Sequence, residues 1–286
     1  MIAPEGIWKL AEERQAARAA KDFARADQLR DDIADAGWEV VDLSGSFELR
    51  PKIRHATFEN IGLLKPFVAN EFEICIGMIV KGFLDDVVTT IQSIRKFSDV
   101  PIALICIGEV GALGQVADAR LFIVAIADDC GWGAAANALL RNVLTKYVVI
   151  MDPSTRFIGD AINPVLDELS RGQFAAVGWR GGLVNLEDDW RSVIDKGPGE
   201  VDVLFSYFLA LERDSAVEAG GFNSRAIYYR NADIEFSLKL RHANGRLLQM
   251  DLPLEQDRHH GYHDVELTFR PRRDRKQASV RKLDQL

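Results

Sequence analysis

The 286-residue sequence has little cysteine, no long apolar run and no excess of positive charge. Its three cysteines, Cys75, Cys106 and Cys130, are odd in number and form no CxxC pair, so we expect core thiols rather than disulfides, a zinc site or redox chemistry. The apolar run at 74–80 is far too short to span a bilayer. The N-terminal residues are soon followed by a charged stretch and lack the apolar region of a signal peptide. We therefore expect a cytoplasmic protein.

A net charge of -8 argues against a general polyanion-binding protein, because nucleic-acid affinity depends mainly on Lys and Arg. With 48% hydrophobic residues the chain is long enough to bury one large core and a smaller one.

Residues 5–36 are charged and alanine-rich, with apolar residues at spacings of three and four, which predicts one or two packed helices. Gly37 ends the helical pattern, and WEVVDL and FELR predict two short strands around Gly45. The run at 16–49 resembles the C-terminal segment of cysteinyl-tRNA synthetases, notably in Lys21-Asp22-Phe23-Ala24. The resemblance implies a small helical module near a tRNA-contacting region.

Residues 1–54 carry nine Lys and Arg against eleven Asp and Glu, which favours a docking or dimerisation hairpin over tRNA binding. We therefore predict a module at 1–54, a linker at 55–70, a main domain at 71–265 and a basic helix or tail at 266–286. The tail holds seven Lys and Arg within 270–282 and is either a solvated helix or a contact for a diphosphate or an anionic membrane.

The main domain alternates apolar strands with amphipathic helices. Strands are predicted at 73–80, 101–108, 120–126, 147–151, 175–179 and 203–213, with helices at 84–97, 159–170 and 232–241 among others. Such alternation indicates a mostly parallel sheet covered by helices on both faces.

The central stretch runs from Gly131 to Ser154, GWGAAANALLRNVLTKYVVIMDPS, and predicts a small-residue turn, a helix and a strand that ends at Asp152. Ligands of α/β proteins bind at the carboxyl ends of strands, where Asp152 could meet a nucleotide or a metal ion. Asp-Pro-Ser is also a favourable turn sequence, which is the alternative interpretation.

Four motifs between 74 and 263 resemble the family 2 glycosyltransferases, which have the GT-A fold. They are MIVKGFLDDVVTTIQSI, GWGAAANALL, VVIMDPS and, most specifically, ALERDSAVEAGGFNSRAIYYRNADIEFSLKLRHANGRLLQM. The resemblance implies an α/β GT-A fold, that is, a Rossmann-like nucleotide-diphospho-sugar transferase domain. It further implies transfer of a sugar from a nucleotide-diphosphate donor to a hydroxyl of a glycan or lipid-linked acceptor, with inversion.

The resemblance assigns roles to individual residues. Asp233 is the candidate general base, with helix capping as the alternative. Asp152 and His259 or His260 are candidate ligands of a divalent Mn or Mg ion. The candidate donor-binding residues are Val80, Lys81, Glu109, Gly133, Asn137, Asp152 and Ser154.

The sequence departs from the family pattern at several of these positions. Ser154 stands where the family has the second acid of its metal-binding motif, Gly108 where it has the base-recognising acid, and Ala136 where an Arg often precedes Asn137. The departures leave two alternatives to an active transferase, a catalytically inactive scaffold and a tRNA-related role of the N-terminal module. The N-terminal helices could also form a homo-oligomer.

Overall fold

The computed structural model describes residues 3–51, 55–108, 110–187, 192–227, 229 and 231–256. The described residues form two compact units, one within 1–55 and 110–119 and the other within 56–109 and 120–286. Within this described part, no helix is both long enough and apolar enough to cross a membrane.

The first unit has two helices and a β-hairpin, α1 (Glu5–Ala19), α2 (Phe23–Asp35), β1 (Trp38–Leu43) and β2 (Ser46–Pro51). Asp22 caps α2 by accepting a hydrogen bond from Arg25 N at 3.1 Å. Gly37 follows α2 with φ +82°, a conformation that favours glycine. The helices and hairpin predicted at 5–49 are thus confirmed.

The second unit is built on a nine-stranded sheet covered by helices. In spatial order its strands are β12 (Gly199–Val201), β15 (Leu247–Gln249), β9 (Ala176–Gly178), β14 (Phe208–Glu212), β7 (Tyr147–Met151), β4 (Ile74–Val80), β5 (Ile102–Ile107), β6 (Leu121–Ile126) and β3 (His55–Phe58). Strands β7, β4, β5 and β6 are parallel, β15 is parallel to β9, and β14 is antiparallel to both of its neighbours. The α/β sheet predicted from the alternating pattern is confirmed.

The remaining elements of the second unit are the helices and short strands around this sheet. The helices are α3 (Leu84–Arg95), α4 (Trp132–Asn142), α5 (Ile162–Ser170), α6 (Arg213–Glu218) and α7 (Ala232–His242). The short strands are β8 (Thr155–Phe157), β10 (Gly181–Val184), β11 (Val193–Ile194), β13 (Val203–Leu204) and β16 (Leu254–Gln256). Strands β11, β10 and β13 form one small sheet, and β16 pairs with β8.

Two stretches differ from their predicted form. The strand predicted at 203–213 is interrupted at 205–207, because the Ser206 N–H donates to the Asp233 carboxylate at 3.0 Å instead of to a neighbouring strand. The stretch predicted as a linker at 55–70 contributes β3 to the edge of the sheet and a bridge between Val68 and Val143. Neither difference follows from the local apolar pattern, because both depend on partners distant in sequence.

Candidate functional site

Asp152 lies where the order of the sheet changes direction. The chain passes from β4 outward to β5 and β6 and then returns to the other side of β4 as β7. Open α/β sheets bind ligands at such a switch point, at the carboxyl ends of the strands. Val80 ends β4 and Asp152 follows β7, so both predicted donor-side residues lie at that point.

The Asp152 carboxylate has one occupied oxygen and one without a partner. Oδ1 accepts from Ser154 N at 2.8 Å and from Ser154 Oγ at 2.6 Å. Oδ2 is buried and has no hydrogen-bond partner among the described residues. Asp152-Pro153-Ser154 therefore forms a turn, as the alternative interpretation of this tripeptide predicted. The same turn leaves Asp152 Oδ2 without a well-formed hydrogen bond.

Asp233 lies in the first turn of α7 and is buried. Its Oδ2 accepts from Ser206 N at 3.0 Å and its Oδ1 from Ile234 N at 2.9 Å. Burial raises the pKa of Asp233 to about 7, although these N–H groups lower it. The residue before α7, Asn231, occupies the N-cap position, and Asp233 satisfies the N–H of Ile234 within the first turn.

Tyr229, which sequence analysis missed, lies close to both carboxylates. Burial raises the pKa of its hydroxyl, and the charge and acceptor oxygens of Asp152 raise it further, with a smaller contribution from the charge of Asp233. Its ring meets the rings of Trp132 and Tyr207 edge-on, at 5.9 and 6.0 Å. The Tyr229 hydroxyl and the Asp152 carboxylate interact closely, but neither the hydroxyl nor Asp152 Oδ2 nor Ser206 Oγ makes a hydrogen bond of good geometry among the described residues.

Gly133 and Asn137 join α4 to the Gly-Gly-Phe turn. A Cβ at Gly133 would lie 2.0 Å from Asn223 O, so only glycine fits that approach. The Asn137 side chain accepts from Phe222 N and donates to Phe222 O, both at 2.8 Å. Both polar ends of Asn137 are thus used within the protein, and the predicted contact of these two residues with a donor stays a prediction.

The other predicted donor-binding residues are only partly described. Lys81 follows β4 and pairs with the Asp129 carboxylate at 2.7 and 2.9 Å, and both side chains are exposed. Asp129 follows β6 at the same edge of the sheet and was missed in the sequence because no motif singles it out. Glu109, His259 and His260 lie outside the described residues.

Among the described residues of this site, the Asp152 carboxylate is suited to bind a divalent metal ion. Carboxylate oxygens are hard ligands that Mg²⁺ and Mn²⁺ accept, and the unpartnered Oδ2 of Asp152 fits that requirement. Ser154 Oγ donates its hydrogen to Asp152 and therefore orients the carboxylate. Across the described ranges, this site included, no group of three or more His, Cys, Asp or Glu side chains could hold a metal ion.

No family model matches the chain. Among solved structures, the chain resembles the mannosyltransferase PcManGT from Pyrobaculum calidifontis, in complex with GDP-Man and Mn²⁺. The TM-score is 0.53 and the identity 16%, over 70% of this chain and 63% of that one. It also resembles GalNAc-T7 with UDP, GalNAc and Mn²⁺, with a TM-score of 0.52 and 13% identity over 66% of this chain and 44% of that one. The chain has the GT-A fold.

A different similarity covers a short stretch of the chain. A stretch of 48 residues is 50% identical to a cysteine–tRNA ligase of Opitutus terrae, and 38 residues are 60% identical to that of Streptococcus thermophilus. These stretches span 10% and 8% of the two ligases. The predicted GT-A fold is confirmed, whereas membership of family 2 stays a prediction.

The contact between Asn137 and Phe222 generates a stability prediction. Asn137→Ala leaves the buried N–H and C=O of Phe222 without partners, and we expect a loss of about 2–4 kcal/mol of unfolding free energy. The control is Asn142→Ala in the same helix, where the side chain donates to Ala138 O one turn earlier. The control should change stability by no more than about 0.5 kcal/mol. Thermal unfolding measures both, and equal losses would contradict the assignment.

Proposed function

We propose that the protein is a glycosyltransferase of the family 2 type. It moves a sugar from a nucleotide-diphosphate donor to a hydroxyl group of a glycan or lipid-linked acceptor. The observation that carries the proposal is the pair of buried carboxylates, Asp152 and Asp233, at the carboxyl edge of a GT-A sheet, with the Tyr229 hydroxyl close to both. The GDP-Man bound to the mannosyltransferase and the UDP and GalNAc bound to GalNAc-T7 support the same substrate class.

Asp233 is the proposed general base. An acceptor hydroxyl is a weak nucleophile near neutral pH, and a base must remove its proton as the new bond forms. A pKa of about 7 makes Asp233 basic enough for this task while about half of its molecules are ionised at pH 7. Each carboxylate oxygen keeps a lone pair beyond the one that accepts from a backbone N–H.

The proposed reaction is a single displacement. The acceptor oxygen forms a bond to the anomeric carbon while Asp233 takes its proton. The bond from that carbon to the diphosphate oxygen breaks on the opposite face, and its electron pair leaves with the nucleoside diphosphate. Because one bond forms as the other breaks on opposite faces, the anomeric configuration inverts.

Asp152 is the proposed residue on the diphosphate side. Its free Oδ2 would bind a divalent metal ion, and His259 or His260 would add a nitrogen ligand. Such an ion, when bound, would neutralise charge on the leaving diphosphate. Tyr229 and Lys81 supply hydrogen-bond donors at the same edge, and Ser154 keeps the Asp152 carboxylate oriented through Oδ1.

Nucleotide binding tests the donor side. We expect one of UDP, GDP, dTDP and CDP, with Mn²⁺ or Mg²⁺, to raise the unfolding temperature of the wild type. At about one hundred times its Kd a ligand stabilises the folded state by about 2.7 kcal/mol. Asp152→Asn, which keeps the shape and Oδ1 but removes the anionic Oδ2, should lose most of this shift. Asp214→Asn, an exposed residue of α6, should retain it. Absence of a shift with every nucleotide would favour the inactive scaffold.

The pH dependence of turnover tests Asp233. The protonated carboxyl cannot accept the hydroxyl proton, so kcat/KM for nucleoside diphosphate release should rise with pH through about 7 and then level off. Asp233→Asn should lower kcat by about 10²–10⁴-fold and leave nucleotide binding intact. Glu235→Gln, in the same turn of α7, is the matched control. A wild-type profile that is flat between pH 5 and 8 would rule out this assignment.

The ligase similarity favours a second candidate, tRNA binding through residues 1–54. The nine Lys and Arg against eleven Asp and Glu of that stretch oppose it, since phosphate contacts require excess positive charge. We expect no binding of tRNA in fluorescence anisotropy at either 50 or 200 mM KCl. Binding at the lower salt concentration that weakens about tenfold or more at the higher one would establish this candidate.

A further inference from the structure

A cavity opens at the same edge of the sheet, beside the bend that precedes β14. Its volume is about 250 Å³, and the side chains that define it are those of Trp179, Arg180, Asp195, Phe205, Tyr207 and Gln256. We call it the Trp179 cavity. Binding sites of drug-sized ligands span about 300–1,000 Å³, so this one has room for a single ring rather than for a nucleotide.

Backbone contacts place the Trp179 cavity next to the carboxylate of Asp152. Trp179 N donates to Phe208 O at 3.1 Å and Phe205 N to Arg180 O at 2.8 Å, which joins the end of β9 to the bend. Asp152 N donates to Tyr207 O at 3.3 Å. Tyr207 therefore contributes its ring to the lining of the cavity, and its carbonyl oxygen accepts a hydrogen bond from the backbone of Asp152.

A side-chain contact makes the same connection from another direction. The Gln256 amide donates to Ser154 Oγ at 3.4 Å, and Ser154 Oγ donates to Asp152 Oδ1. A ligand held in the cavity would thus lie beside the diphosphate side of the proposed site without occupying it. The bend between Phe205 and Tyr207 also carries Ser206, whose N–H binds the Asp233 carboxylate, so the cavity adjoins the proposed base, as an acceptor site must.

Aromatic rings and Val193 form the apolar part of the lining. Phe205 and Tyr207 are both half-buried, with ring centroids 5.8 Å apart and ring planes inclined by 55°. The Arg180 guanidinium lies over the Trp179 ring at 4.4 Å. Trp179 is itself buried, so Phe205 and Tyr207 supply most of the ring surface that faces the cavity. A pyranose ring has an apolar face of C–H groups that packs on such surface, and its hydroxyl groups require polar partners at the rim.

The polar groups of the lining carry opposite charges. The N–H of Gly197, the Gln249 amide and the charge of Arg180 hold the pKa of Asp195 below its usual range, so its carboxylate is ionised at neutral pH. Asp195 accepts hydrogen bonds from hydroxyl groups, while Arg180 and the Gln256 amide donate them. The Asp195 carboxylate would repel an anionic ligand, and the Arg180 guanidinium would repel a cationic one. The lining therefore favours a neutral sugar.

We propose that the Trp179 cavity binds the terminal, uncharged sugar ring of the acceptor, so that the acceptor is a glycan rather than a lipid or a protein hydroxyl. This inference rests on the proposed function, because it assigns the second substrate of the same reaction. It adds Trp179, Phe205 and Asp195 as residues that determine acceptor specificity.

Binding of simple sugars tests the cavity without any donor. The probes are methyl glycosides of glucose, galactose, mannose and N-acetylglucosamine, observed by saturation-transfer NMR with the full chain. At least one should give a signal with the wild type, and Phe205→Ala and Asp195→Asn should each reduce that signal about tenfold. Asp195→Asn keeps the side-chain shape, so it tests the proposal even where Phe205→Ala fails to fold.

Matched controls lie at the opposite edge of the same sheet. Phe174 precedes β9, is half-buried and packs under a guanidinium, that of Arg246, at 4.9 Å. Phe174→Ala and Asp214→Asn should leave glycoside binding as in the wild type. Equal losses in the control and cavity variants, or no signal from any glycoside with the wild type, would overturn the proposal.

Nucleotide binding separates this proposal from the function on which it rests. The cavity variants should keep the thermal shift given by the nucleoside diphosphate and lose the acceleration of diphosphate release by the bound glycoside. A wild type that binds a glycoside but no nucleotide would contradict the transferase while supporting the cavity as a sugar site. Acceleration of release by a long-chain alcohol and by no glycoside would identify a lipid acceptor and overturn the proposal.

Discussion

The hydrogen bond from Ser206 N–H to the Asp233 carboxylate is the contact on which the proposed site depends. It fixes the first turn of α7 against the bend at 205–207, and the bend in turn places Tyr207 beside Asp152. A buried carboxylate is unfavourable in its charged form, and the backbone N–H groups of Ser206, Asp233 and Ile234 offset only part of that cost. The part of the cost that is not offset keeps the pKa of Asp233 near 7. The hydrogen bond from Ser206 that shapes the site therefore also influences the basicity of the candidate base.

A second constraint holds α4 against the loop before α7. Gly133 permits the backbone of Asn223 to approach, and Asn137 binds both polar groups of the Phe222 backbone. Trp132, beside Gly133, packs its ring against those of Phe222 and Tyr229. The glycine-rich turn therefore helps to determine where the Tyr229 hydroxyl lies. It does so although the Asn137 amide in the helix that follows is bonded to Phe222 rather than to a ligand.

The sequence predicted the sheet, its main helices and the chain positions of Asp152 and Asp233, because apolar periodicity and local motifs encode them. It did not predict Tyr229, Tyr207, Asp129 or Trp179. Their proximity arises from strand order, which no local pattern specifies. Nor does a motif show whether a polar side chain faces a ligand or the protein. Asn137 occupies a family-like position, and its amide is nevertheless committed to Phe222.

The direction of β14 explains how the two proposed substrates meet. Strands β4 and β7 are parallel and end at the switch point, which brings Lys81 and Asp152 to one edge. Strand β14 is antiparallel to β7 and therefore begins at that edge, so the bend before it lies there too. Strand β9 is antiparallel to β14 and again ends there, at Trp179 and Arg180. The antiparallel direction of β14 thus brings Asp152, on the proposed diphosphate side, next to the Trp179 cavity, with Tyr207 between them. A fully parallel sheet would have carried residues 205–207 to the opposite edge.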